Sequence, residues 1–143
     1  MVVIDNQGVI AYKIQETAYN KNSFEQFIGE HIVPYFIEHS DRLLIMDNAS
    51  FHRSPKIKQL LFENNIAYKY LVPYSPHLDP IEEFFACIKS KFHTVRNSDA
   101  KIGVRRTIEI ILNQDNNYME QITGFYQHMR TWLDKTRRKK PFI

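Results

Sequence analysis

Val2 to Ile4 and Val9 to Ile14 are short runs of strand-forming residues separated by Asp5-Asn6-Gln7-Gly8, a cluster with the side chains that tight turns favour. The chain is therefore expected to open on a β-hairpin. Asn22 then stands before Ser23, with an acid, Glu25, three positions after it, while Phe24, Phe27, Ile28, His31 and Ile32 recur at helical spacing. This pattern predicts a helix over roughly 23–38, capped at Asn22 and kinked near Pro34. Leu43-Leu44-Ile45-Met46 is a continuous apolar run of strand length that stops at Asp47-Asn48. It reads as a strand covered on both faces, with Asp47 at its C-terminal end.

Ser54 as cap and Pro55 at the first helical position begin a second helix, with Ile57, Leu60 and Leu61 facing inward and Asn64-Asn65 ending it. A strand follows over 66–72. Three prolines, Pro73, Pro76 and Pro80, stiffen the next loop and fix how the following helix enters the fold. That helix is expected to reach about Phe92 and to bury Ile81, Phe84, Phe85 and Ile88. Two more helices, near 99–113 and 116–134, complete an α/β layer arrangement with no internal repeat.

The chain has 143 residues, of which 43% are hydrophobic, a size suited to one domain with one core. Cys87 is the sole cysteine, so no intrachain disulfide can form and a reducing compartment is the natural reading. The first residues carry no basic, signal-like stretch, and no apolar run approaches the roughly 18 residues of a membrane span. A soluble, intracellular protein with no membrane partner is expected, in the nucleus if eukaryotic and the cytoplasm if bacterial. Net charge is +3, and most of the excess falls in Lys135, Arg137, Arg138, Lys139 and Lys140. These form a basic tail that could contact phosphate, serve as a nuclear import signal or stay simply solvated.

Asp47 at the end of a strand can serve as a metal ligand, since ligands of open α/β sheets bind at the strands' C-terminal edge, or it can merely start a turn. Glu82 is likewise ambiguous. Asp79-Pro80-Ile81-Glu82 reads as a capping box with Asp79 as cap, Pro80 at N1 and Glu82 at N3. His31, His39, His52, His77, His93 and His128 make no zinc-binding pattern, alone or with Cys87.

The combination is more specific than its parts. Met46-Asp47-Asn48-Ala49-Ser50-Phe51-His52, followed by Pro73-Tyr74-Ser75-Pro76-His77-Leu78-Asp79-Pro80-Ile81-Glu82, resembles the second and third acidic motifs of mariner-like and related insertion-sequence DDE transposases. Between Asp47 and Glu82 lie 34 residues, the spacing typical of that superfamily. Ile88-Lys89 matches the pair that commonly follows, and the likeness covers about residues 2–95. Departures are Asp79 for the usual Asn, His77 in a variable slot and Phe85 for Trp.

The resemblance implies a ribonuclease-H-like fold with a mixed central sheet flanked by helices. Residues 1–95 would be the catalytic core, 96–134 its C-terminal helices and 135–143 the basic tail. It implies that Asp47 and Glu82 are catalytic and bind Mg²⁺ or Mn²⁺ in a two-metal site acting on DNA phosphodiesters. Glu82 is chosen over Glu83 because the family acid directly follows Pro-Ile. Asn48 and His52 would support the Asp47 loop, or His52 would approach the phosphate, although a helix-entry hydrogen bond also accounts for His52. Lys89, with Lys135, Arg137, Arg138, Lys139 and Lys140, would contact DNA; a solvent-facing role is the alternative for Lys89.

The family's first acid lies on the first strand of the sheet, whereas the hairpin here matches the second and third strands. That first strand is expected to precede Met1, because Asp5 falls in a turn. Two readings follow. One is a transposase fragment for cleavage and strand transfer, inactive alone until another transposase chain or the N-terminal segment completes it. The other is a catalytically dead remnant that acts only as a nucleic-acid-binding or protein-association module. An unrelated metal-dependent phosphohydrolase ranks behind both.

Overall fold

Hydrogen bonding groups the strands into two small sheets in the computed structural model, which describes residues 1–73, 75, 78–113 and 118–138. In chain order the elements begin with β1 (Val2–Asp5), β2 (Gly8–Tyr12), α1 (Lys21–Phe27), a π-helical turn (Ile28–Ile32) and α2 (Val33–Glu38). Next come β3 (Leu44–Met46), a 3₁₀ turn (Ser50–Arg53), α3 (Pro55–Glu63) and β4 (Tyr68–Tyr70). Three helices follow: α4 (Pro80–Ser98), α5 (Val104–Leu112) and α6 (Met119–Arg138). These elements divide between two compact units, Lys13–Ser75 and, separately, Met1–Tyr12 with the described part of Pro76–Ile143.

Within Lys13–Ser75, α1 starts two residues earlier than the sequence suggests. Asn20, not Asn22, is the cap: its side chain accepts from the Ser23 amide at 3.0 Å, and Ser23 Oγ accepts from the Asn20 amide at 2.9 Å. Ser23 therefore closes the capping box that Glu25 was expected to close. Glu25 instead turns inward, 8% exposed, with Lys56 of α3 at 2.6 Å and Lys21 at 3.9 Å. The kink expected near Pro34 takes the form of the π-helical turn just before it, a widened turn that accommodates the loss of the proline N–H.

β3 and β4 pair in parallel, with Leu44 opposite Tyr68, Ile45 opposite Lys69 and Met46 opposite Tyr70. Only one face of β3 is covered: Leu44 and Met46 are buried, but Ile45 is 53% exposed. The expectation of a strand covered on both faces is corrected accordingly. An all-apolar run specifies no face, and here alternation decides which residues are covered. Ser54 caps α3 as expected, accepting from the Ile57 amide at 3.3 Å, and Ile57 and Leu61 are fully buried.

In the other unit, β1 and β2 pair antiparallel with an irregularity between Val3 and Ile4, where Ala11 and Val9 are the successive partners and Ile10 is left over. Asp5 is the turn residue: its Oδ1 accepts from the Gln7 amide at 2.6 Å, and Gly8 takes the left-handed conformation with φ 132°. Val2, Ile4, Val9 and Tyr12 pack on a core of Phe84, Ile111, Leu112, Tyr118 and Ile122. Phe85, expected inside, is 40% exposed. The buried stripe of α4 runs through Ile81, Phe84, Ile88, Phe92 and Val95, and a step of one residue turns a side chain about 100° away from it.

That stripe also explains why α4 extends to Ser98, past the expected end near Phe92. Tyr118 anchors the start of α6: it is fully buried, edge-on to Phe84 at 5.4 Å, and donates its hydroxyl to the Ile111 carbonyl at 2.6 Å. Burial, with a smaller contribution from Cys87, pushes the Tyr118 hydroxyl up to about 12. Helix α6 continues through Lys135, Arg137 and Arg138, so these three are helical residues rather than an irregular tail. Lys139 and Lys140 lie outside the described residues, as does His77. No helix among the described residues is long and apolar enough to cross a membrane.

Candidate active site

Asp47 is the first residue after β3, and its side chain is 61% exposed. Its Oδ1 accepts from the Ala49 amide at 2.9 Å, which bends the chain into the 3₁₀ turn. The turn brings His52 back, with Nδ1 2.6 Å from the same Oδ1. Despite this closeness Nδ1 makes no hydrogen bond of good geometry, so the pair is a close contact of ring and carboxylate. His52 is largely buried, its ring tilted by 34° against Phe24 with centroids 4.2 Å apart and edge-on to Phe51 at 4.5 Å. One carboxylate oxygen of Asp47 is thus held by its own loop, while Oδ2 has no partner among the described residues.

Asn48 ties the two strands of this sheet together. Its amide donates to the Leu71 carbonyl just beyond β4, and its carbonyl accepts from Arg53. The Arg53 guanidinium lies 5.1 Å from the Tyr70 ring centroid, and the Tyr70 hydroxyl donates to the His52 carbonyl at 3.0 Å. Burial, then neighbouring Tyr68, raise the Tyr70 hydroxyl above its ordinary range against an opposing effect of Arg53, so it remains a donor at neutral pH. Asp47, Asn48 and His52 are therefore brought together, with Arg53 and Tyr70 as members that motif spacing did not reveal. Arg53 directly follows His52, but its partners come from Asn48 and another strand, which no local pattern records.

Glu82 lies in the other unit, at N3 of α4. Asp79 caps the helix, accepting from the Ile81 amide at 3.3 Å, and Pro80 takes N1 as expected. The reciprocal half of the capping box is not formed: the exposed Glu82 carboxylate has no hydrogen bond or ion pair with the described residues. Its neighbour differs. Glu83 Oε1 is 2.5 Å from His128 Nδ1 on α6, so its carboxylate is engaged between helices. Lys89 is exposed on α4 and, among the described residues, unpartnered.

Residues 1–105 match the family model described as the DDE superfamily endonuclease. The chain belongs to this family. Its fold is similar to that in a solved structure of the Mos1 transposase catalytic domain, described with raltegravir and Mg. The TM-score is 0.64 at 16% identity, over 99% of this chain and 75% of that one. This DDE endonuclease chain thus has an α/β, ribonuclease-H-like fold of mariner transposase type. No curated protein matches it. Among the described residues of this DDE chain, no three His, Cys, Asp or Glu side chains gather into a ready-made metal site.

Proposed function

We propose that this DDE endonuclease chain is the catalytic part of a transposase that cleaves and joins DNA phosphodiesters with Mg²⁺ or Mn²⁺, using Asp47 and Glu82 as metal-binding acids. The observation that carries the reading is that each acid keeps a carboxylate oxygen unpartnered by the described residues, while the competing Glu83 is occupied. Exposed carboxylates are hard oxygen donors suited to these cations, and the Mg in the Mos1 structure is consistent with that choice. Bound metal would supply Lewis-acid activation of a water or 3′-hydroxyl for attack on phosphorus.

This chain's own residues then have distinct tasks. Asn48 and His52 hold the Asp47 loop, with Asp47 Oδ1 fixed and Oδ2 left for ligation. Helix geometry, secured at Asp79 and Pro80, sets the direction of Glu82. Lys89, together with Lys135, Arg137, Arg138, Lys139 and Lys140, would neutralise DNA phosphates without reading sequence. A further acid would come from another transposase chain or from a segment preceding these residues. The protein would act where the DNA is, in a nucleus or in a bacterial cytoplasm.

Calorimetric titration of Mn²⁺ into the wild-type chain, Asp47→Ala and Glu82→Ala tests this reading. Binding by the wild type that falls at least about tenfold in each variant supports it. A folded wild-type chain that binds no Mn²⁺ would instead favour a non-catalytic nucleic-acid-binding or protein-association module.

A further inference from the structure

The first turn of α4 carries two adjacent acids, and a chain of contacts from α6 treats them differently. Glu83 Oε1 lies 2.5 Å from His128 Nδ1, and the Trp132 indole N–H donates to His128 Nε2 at 3.1 Å. Lys135 stands 4.9 Å from the Trp132 ring centroid. His128, Trp132 and Lys135 are spaced i, i+4 and i+7, so they share one face of α6.

The donors and acceptors allow one proton arrangement. An indole N–H can only donate, so Nε2 must present its lone pair. An ionised carboxylate can only accept, so Nδ1 must carry the proton. His128 is therefore the neutral Nδ1–H tautomer, and that N–H is committed to Glu83.

We propose that His128 is a positioning residue for the metal site: Trp132 sets its tautomer, His128 ties Glu83 to α6, and the first turn of α4 is left to present Glu82 as its free acid. The inference rests on the reading of Glu82 as a metal ligand. Glu83 stands about 100° from Glu82 around the helix, so its tie to α6 fixes the rotation at which α4 presents Glu82. No sequence motif marks His128, which lies 45 residues from its partner.

Two measurements on the full chain test it. Long-range ¹H–¹⁵N correlation spectra of the ¹⁵N-labelled wild type should show His128 protonated at Nδ1 and bare at Nε2, and Trp132→Phe should weaken that preference to what Glu83 alone imposes. In Mn²⁺ titrations, His128→Ala should weaken binding about tenfold while thermal stability is largely kept, and His128→Asn, which can still donate to Glu83, should recover most of the loss. An Nε2–H tautomer in the wild type overturns the proposal. So does His128→Ala binding Mn²⁺ like the wild type when Glu82→Ala does not. A wild-type chain that binds no Mn²⁺ overturns the metal reading and this role of His128 together, whereas the preceding outcome removes the role of His128 alone.

Discussion

Asp47 and Glu82 are both exposed, but different means fix them. Asp47 is held through its own side chain: one oxygen is taken by a backbone amide two residues on and by His52, whose ring is clamped between Phe24 and Phe51. Glu82 is held only through its backbone, at the third position of a helix whose buried stripe, cap and inter-helix contact determine where it points. A loop can aim a carboxylate with few residues but uses part of its bonding capacity. A helix leaves the whole carboxylate free, and its precision then depends on distant packing.

That contrast predicts which damage should reach which acid. Phe84→Ala removes the fully buried ring under the first turn of α4 and should cost about 3–5 kcal/mol, measured by urea denaturation. Alkali should loosen the same seat. The Tyr118 hydroxyl, raised to about 12 in the folded chain, compares with about 10 in an unfolded one, so the unfolded state loses its proton first. Stability should be intact below about pH 10 and decline by about 2 kcal/mol as pH rises towards 12, a fall that Tyr118→Phe should lack.

His52→Ala probes the other side. It should weaken Mn²⁺ binding about tenfold through Asp47, the smaller end of the range for such supporting partners, because the Ala49 amide still holds Oδ1. Calorimetry checks the value. Asp79→Ala should be mildest, costing about 1 kcal/mol of stability by loss of the α4 cap. If His52→Ala proves harmless and Phe84→Ala leaves metal binding intact in a folded chain, the assignment of local and distant control is wrong.

Features legible in the sequence are those specified within a few residues. Ser54-Pro55 at the start of α3, Asp79-Pro80 at the start of α4 and the Asp5 turn all follow from chemistry internal to the segment. The Asn20 cap was missed because two asparagines compete two positions apart and the choice depends on where Glu25 goes. Glu25 in turn is buried beside Lys56, and Glu83 is engaged at the surface by His128, partners that lie on other helices. The exposed Phe85 and the one-sided β3 show the same limit: composition said apolar, and only packing chose the face.

The leftover Ile10 in the hairpin has a consequence for how the chain tolerates changes in length. Val9 and Tyr12 are three residues apart, an odd step that in a regular strand sends side chains to opposite faces, yet both pack on the same core. The extra residue reverses the parity between them, so that Val9 opposes Ile4 and Tyr12 opposes Val2. Deleting Ile10 would leave Val9 and Tyr12 two residues apart, the regular spacing for one face, so Tyr12 would still oppose Val2, face the core and reach Asn113, whose Oδ1 accepts its hydroxyl at 3.1 Å. The hairpin thus carries one residue to spare: losing Ile10 would keep every pairing, whereas losing Val3 from the opposite strand would leave Ala11 without its partner.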